Sequence, residues 1–231
     1  MTQADLVYEY LREHYPDNTP IFMSEIKLRV GIKESTIRQA LKRLVEENRI
    51  KRFDQGIYYF PKKTIFRSGS VLSIDEVIRK KYLVDEGGHC CGYVGGLLFA
   101  NQIGLTPQVP MVYEVFSNRA TTDCRRVRLA GFRIILRKPR VRIDDDNCQI
   151  LQFLDLLSEV MTFAELDGED ITACLARYMR CKKKVLSPSS ATYHTIQMGY
   201  IKVCMRWEFY MAYLYEARED RKVLGLRTFE E

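Results

Sequence analysis

"IKESTIRQALKRLVEENRI" runs from Ile32 to Ile50, and "KRFDQGIYYFP" follows it from Lys51 to Pro61. In the first stretch Ile37, Ala40, Leu41 and Leu44 recur at helical spacing, which predicts a single buried helix face. Ser35, Gln39, Lys42 and Glu46 then point the opposite way, with Arg38 and Arg43 on the flanks. Lys33 stands where a Ser or Thr cap is expected, so the helix start is weakly capped. In the second stretch Ile50–Phe53 and Ile57–Phe60 read as strands. Asp54-Gln55-Gly56 joins them, and a glycine at the end of such a loop supplies the left-handed residue that a hairpin needs.

Upstream, Leu6, Val7, Tyr10 and Leu11 form an amphipathic stripe that Pro16 must end. Ile21, Phe22, Ile26 and Leu28 suggest a short second helix closing near Gly31. Helix, helix, helix, hairpin is the order of a winged helix. The second and third helices make the helix-turn-helix, the third is the candidate recognition helix, and the hairpin is the wing. Its chemistry suits DNA. Arg38 can fork onto guanine and Gln39 onto adenine, and Ser35, Thr36 and Lys42 lie on the same exposed half-turns, so these five are the candidate base readers. Arg43, Lys51, Arg52, Lys62 and Lys63 are placed to neutralise backbone phosphates. The plainer alternatives are a solvated helix face, or a winged helix that contacts only proteins.

The bulk composition is that of a globular protein: 231 residues, 46% hydrophobic and 29% charged. The N-terminus lacks a basic region followed by an apolar run, and no stretch of about 18 uncharged apolar residues exists, so neither a leader nor a membrane span is expected. The seven cysteines are scattered, which fits reduced thiols in a cytoplasmic protein better than a disulfide framework. The net charge of +6 permits a polyanionic partner without demanding one. Between Arg119 and Arg142 the basic residues are Arg119, Arg125, Arg126, Arg128, Arg133, Arg137, Lys138, Arg140 and Arg142, against Asp123.

The chain divides into a winged-helix domain (1–61), a linker (62–73), a mixed α+β domain (74–186) and a helical tail of unassigned role (187–231), giving an α+β fold class. Ser73-Ile-Asp-Glu76 matches a capping box. "LLFANQIG" ends at Gly104, "PMVYEVFS" is a strand, and "RRVRLAGFRIILRKP" is two strands meeting at Ala130-Gly131, with an antiparallel element expected. "DDDNCQILQFLDLLSEV" is a helix whose acids suit its positive end, and "GEDITACLARYMRCKKK" is another. In the tail, Tyr200, Val203, Cys204, Trp207, Tyr210, Met211 and Leu214 form a stripe suited to core packing or to a homodimer contact.

"DEGGHCCGYVGG" (Asp85–Gly96) places a histidine beside two cysteines. Adjacent ligands point apart, and no second Cys/His cluster exists, so a metal is not expected. The glycines fit neither phosphate-binding pattern. They read as a turn at Gly87-Gly88, then Gly92, Gly95 and Gly96 packing closely as the next helix begins. The alternating hairpin arginines read as the wet face of a sheet, with a second nucleic-acid surface or an acidic-protein dock as the functional version. Glu114 is the acid inside a strand, and no Glu-x-Lys follows it, so a nuclease is the weakest reading.

The run "GYVGGLLFANQIGLTPQVPMVYEVFSN" resembles AbiEi-type antitoxins, the regulator half of type IV toxin–antitoxin or phage-defence pairs. Tyr93, Gly95, Gly96, Gly104, Leu105, Thr106, Gln108 and Pro110 carry the likeness, and Gly56, Tyr58, Tyr59 and Pro61 match the end of the family's winged helix. The likeness covers residues 1–165. It implies a transcriptional regulator without enzymatic activity or cofactor, binding double-stranded DNA at its own operon's promoter and pairing functionally with a nucleotidyltransferase toxin. The runner-up is a protein-interaction module that binds a toxin or enzyme directly.

Overall fold

The computed structural model describes residues 2–62, 69–163, 165–166 and 168–181. The tail from 187, its Tyr200–Leu214 stripe, Lys63 and Lys182–Lys184 lie outside the described residues. The chain separates into two compact units, one running to Lys81 with Arg128–Phe132, the other Tyr82–Val127 with the chain from Arg133 onward. Among the described residues there are seven α-helices and two sheets, a mixed α+β architecture.

In the first unit, helix α1 (Gln3–His14) opens on a capping box. The Thr2 hydroxyl accepts the Asp5 N–H at 3.3 Å and the Asp5 carboxylate accepts the Thr2 N–H at 3.0 Å. The Thr2 backbone bond, then its hydroxyl, then Arg49 hold the Asp5 carboxyl down at about 2. Strand β1 (Ile21–Phe22) precedes α2 (Met23–Val30), α3 (Glu34–Glu46), β2 (Lys51–Asp54) and β3 (Ile57–Tyr59). The sheet order is β1-β3-β2, with Ile21 opposite Tyr58 and Lys51 opposite Tyr59, both pairs antiparallel.

Ile21 and Phe22 are therefore not the first turn of the second helix. Ile21 is fully buried and extended, and it closes the sheet edge beside Tyr58. Two apolar residues are too few for periodicity to separate a strand from a helix start. Three local expectations do match. Gly31 (φ 64°) stops α2, Gly56 (φ 72°) turns the hairpin, and α3 starts at Lys33 with no side-chain cap. Val7, Leu11, Ile26, Ile37, Leu41, Leu44 and Ile50 fill the core.

Helix α4 (Ile74–Ile78) begins where Ser73 accepts the Asp75 N–H, at 3.2 Å, but Glu76 faces Arg79 rather than closing the capping box. A π-helical turn (Arg79–Leu83) follows. In the second unit, β4 (Gly92–Gly95) leads directly into α5 (Gly96–Ile103). Then come β5 (Val112–Ser117), β6 (Cys124–Leu129), β7 (Phe132–Arg137), α6 (Cys148–Phe163) and α7 (Gly168–Cys181). The sheet order is β4-β5-β7-β6. Strand β4 runs antiparallel to β5, but β5 pairs in parallel with β7. The hairpin turns at Ala130 (φ 48°) and Gly131 (φ 88°), as the sequence suggests. Its outer strand β6 takes the edge, which leaves β7 beside β5 in the same direction, so the expected antiparallel element, β4 with β5, lies within a mixed sheet. Phe99, Leu105, Leu156, Val160, Ile171 and Leu175 form a core among α5, α6 and α7.

The glycines of "GYVGG" thus lie in a strand and at a helix start. A Cβ on Gly92 would stand 2.4 Å from the Tyr82 carbonyl oxygen and 2.6 Å from that of Phe116. Gly96 (φ 59°) has the Glu114 carboxylate 2.5 Å from where its Cβ would be. Close approach explains them, as the sequence suggests, but the close neighbours are mainly backbone and side chains of the adjoining strand. Cys90 and Cys148, 58 residues apart, pair as a disulfide with a Cα separation of 6.6 Å. The sequence did not single out this pair, because connectivity across that separation leaves no local pattern. Cys91 and Cys174 are buried and free, and Cys124 is exposed and free.

Candidate nucleic-acid interface

Helix α3 is held by one face. Ile37, Leu41 and Leu44 are wholly buried and Ala40 is 5% exposed. The opposite face is left to solvent: Ser35, Arg38, Gln39, Lys42 and Arg43 are exposed and Thr36 is half-buried. The six residues named from this stretch therefore lie along one helix, with five of them open. Burial on this scale anchors the helix strongly, at roughly 1.5–3 kcal/mol for each large aliphatic side chain.

The cations on that face are not naked. Arg38 donates to Glu34, Arg43 to Glu47 at 2.7 Å, and Lys42 lies 3.7 Å from Glu46, each an i,i+4 pair. The hydrogen bond to Arg43 holds the Glu47 carboxyl below its ordinary range, and the same bond raises Arg43. Exposed pairs of this kind contribute little to stability and exchange readily for another anion.

On the hairpin Arg52 is exposed and Lys51 half-buried, with the Arg52 Nε donating to the Asp54 carbonyl at 3.3 Å. A register shift between Arg52 and Asp54 bends this strand. Lys62 is exposed, and its backbone N–H donates to the Ser70 hydroxyl at 2.8 Å. Lys63 falls outside the described residues.

Two basic residues that sequence reasoning did not single out support this unit from behind. Arg49 lies 3.7 Å over the Tyr8 ring and bonds Asp5 at 3.1 Å. Lys80 bonds Glu25 at 2.9 Å and the Pro20 carbonyl at 2.8 Å, and lies over the Tyr15 ring. Both are pinned by partners distant in sequence, which local spacing does not reveal.

In the second unit, "GYVGGLLFANQIGLTPQVP" has structural duties. The Tyr93 hydroxyl donates to Asp155, Leu105 and Thr106 are buried, and the Asn101 amide donates to the Thr106 carbonyl at 3.0 Å. The Thr106 hydroxyl accepts the Gln108 N–H at 3.2 Å, and Gly104 (φ 87°) caps α5. Burial pushes the Asp155 and Glu159 carboxyls up. Glu114 is engaged by Arg137. His89 Nδ1 lies 2.7 Å from Asp145, which also accepts the Cys90 N–H at 2.7 Å. So His89, Cys90 and Asp145 close a loop. Among the described residues no group of three or more metal-ligating side chains comes together.

The hairpin arginines follow their alternation. Arg126, Arg128 and Arg133 are exposed, while Leu129, Ile134 and Leu136 are buried. Among the described residues no helix is long and apolar enough to cross a membrane. In comparisons with known protein families and with curated proteins, the chain matches none.

Proposed function

We propose that the protein is a sequence-specific, DNA-binding transcriptional regulator whose residues 1–61 form a winged helix. The observation that carries this is one arrangement. A helix buried through Ile37, Ala40, Leu41 and Leu44 exposes Ser35, Arg38, Gln39 and Lys42, beside a hairpin, on a sheet of order β1-β3-β2. A strand before the second helix, pairing with the far hairpin strand, is the layout in which winged helices present their recognition helix. The i,i+4 glutamates are no obstacle, since a phosphate or a base edge replaces them at little cost.

The likeness to AbiEi-type antitoxins extends the reading. The regulator represses its own operon from the cytoplasm, is not an enzyme, and pairs functionally with a nucleotidyltransferase toxin. Tyr93, Gly104, Leu105 and Thr106 support the second unit's fold in this reading rather than a reaction. The competing reading is a module that binds a toxin directly, and Val109 (81% exposed) and Met111 (77%) give it an apolar point of contact.

Titration of the full chain into labelled DNA from upstream of its own gene, beside shuffled DNA, tests the proposal. A preference of about a thousandfold or more establishes operator recognition. Equal and steeply salt-dependent binding to both reduces it to phosphate contact. Binding to neither, with co-purification of the neighbouring gene's product, supports the direct interaction instead.

A further inference from the structure

Among the described residues of the second unit, two charged pairs form: Arg137 with Glu114 and His89 with Asp145. The segment after β7 gathers three cations in one place. Lys138, Arg140 and Arg142 line one open depression of about 440 Å³, together with Asn118 and Pro139. All three cations are exposed, and among the described residues none of them forms an ion pair.

Three neighbouring acids have partners of their own. The Asp144 carboxylate accepts the N–H groups of Asp146 and Asn147, at 3.1 and 2.9 Å. Asp145 holds His89 and Cys90. Asp155, close enough to Arg140 for its charge to be favoured, is half-buried and already takes the Tyr93 hydroxyl.

The backbone beneath is fixed. The Asn118 side chain both donates to the Ile143 carbonyl (2.7 Å) and accepts the Ile143 N–H (2.9 Å). The Asn147 amide donates to the Arg142 carbonyl at 2.8 Å, and the Lys138 N–H donates to the Asp123 carbonyl at 3.1 Å. Side chains carrying three positive charges therefore line one depression, and among the described residues no acid forms an ion pair with them, over backbone held by these hydrogen bonds. Guanidinium groups fork onto phosphoryl oxygens, and a lysine adds a point charge. An open depression suits a chain passing across it better than an enclosed small ligand.

We propose that Lys138, Arg140 and Arg142 bind the phosphodiester backbone of nucleic acid, a sequence-independent contact in the second unit that is separate from the α3 face. This rests on the reading that the chain binds duplex DNA.

The test compares the full chain with Lys138→Ala/Arg140→Ala/Arg142→Ala, and with Arg142→Glu alone, on own-promoter and shuffled duplexes between 50 and 200 mM salt. At a slope of about 0.9 per phosphate, three contacts are worth about 2.7, or about 40-fold across that range. The triple variant, melting like the parent, is expected to lose that much of the salt dependence equally on both duplexes, and Arg142→Glu to weaken both. An unchanged slope with retained promoter preference overturns this site and leaves the regulator reading standing. A fallen slope where the parent shows no promoter preference does the reverse. Saturable binding of inorganic pyrophosphate that the triple variant abolishes, with the DNA slope unmoved, overturns the backbone assignment in favour of a small anion. Binding of the parent to no DNA overturns both readings.

Discussion

Arg38 donates to the carboxylate of Glu34, one turn earlier on the exposed face of α3. The pair engages the side chain proposed to fork onto guanine. Arg38→Ala is expected to weaken promoter binding by about 1–3 kcal/mol while leaving shuffled DNA nearly unaffected. Glu34→Gln is expected to do the opposite, tightening both, because it removes a like charge from the phosphates and releases the guanidinium. Gel-shift titrations of the two variants on both duplexes check this. Equal losses on both duplexes for Arg38→Ala would make it a phosphate contact.

Much of the first unit was legible because its elements are written locally. Ile37, Ala40, Leu41 and Leu44 recur at helical spacing, and Gly31 and Gly56 mark turns that need positive φ. What stayed hidden depends on partners far along the chain. Ile21 is a strand residue only because Tyr58 lies opposite it. Strand β7 runs parallel to β5 because β6 takes the outer edge. Cys90 finds Cys148 across 58 residues. The exposed side of α3 was legible, since helix-surface residues follow from the buried stripe. The glutamate partners of its cations were also in the sequence, at i,i+4. The convergence of Lys138, Arg140 and Arg142 was not, because it needs Asn118 from another element to fix their frame.

Two glycines of "DEGGHCCGYVGG" predict losses of very different size on substitution by alanine. Gly92→Ala drives a Cβ into two backbone oxygens, at 2.4 and 2.6 Å, which no rotamer change relieves. The β4–β5 pairing is expected to break, with loss of the second unit's cooperative melting. Gly88 (φ 83°) has open space around its missing Cβ. Gly88→Ala meets only the left-handed backbone penalty, about 1–2 kcal/mol. Thermal melts of both variants separate the causes. Similar losses for the two would contradict the packing argument.

The Tyr93 hydroxyl donates to the half-buried Asp155. Burial pushes the Asp155 carboxyl up, and the tyrosine bond works against that shift. Tyr93→Phe leaves the acceptor unsatisfied and is expected to cost about 1–3 kcal/mol. Tyr93→Phe with Asp155→Leu should recover part of the loss, because both partners of the bond are then removed. Denaturant unfolding of the single and double variants measures the coupling, and strictly additive losses would exclude it.

His89 and Asp145 tie the loop at Asp85–Cys90 to the start of α6, and their pH response has a definite sign. The hydrogen bond to Asp145, then its charge, raises His89 above its ordinary value of 6.5. The Cys90 N–H, then His89, lowers Asp145 below its ordinary 3.8. A raised histidine contributes stability that is complete below 6.5 and is lost as pH climbs through the raised value. A lowered carboxylate contributes stability present above 3.8 and lost as pH falls through the lowered value. The ion pair is therefore strongest between those two shifted values. A ring-proton titration by NMR is expected to place His89 above 6.5 in the parent and to return it toward 6.5 in Asp145→Asn. An unchanged midpoint in that variant would mean that Asp145 does not hold the histidine in solution. The Cys90 N–H would then be the bond that secures the loop, and Asp145→Asn should still disturb it, because an amide oxygen accepts more weakly than a carboxylate.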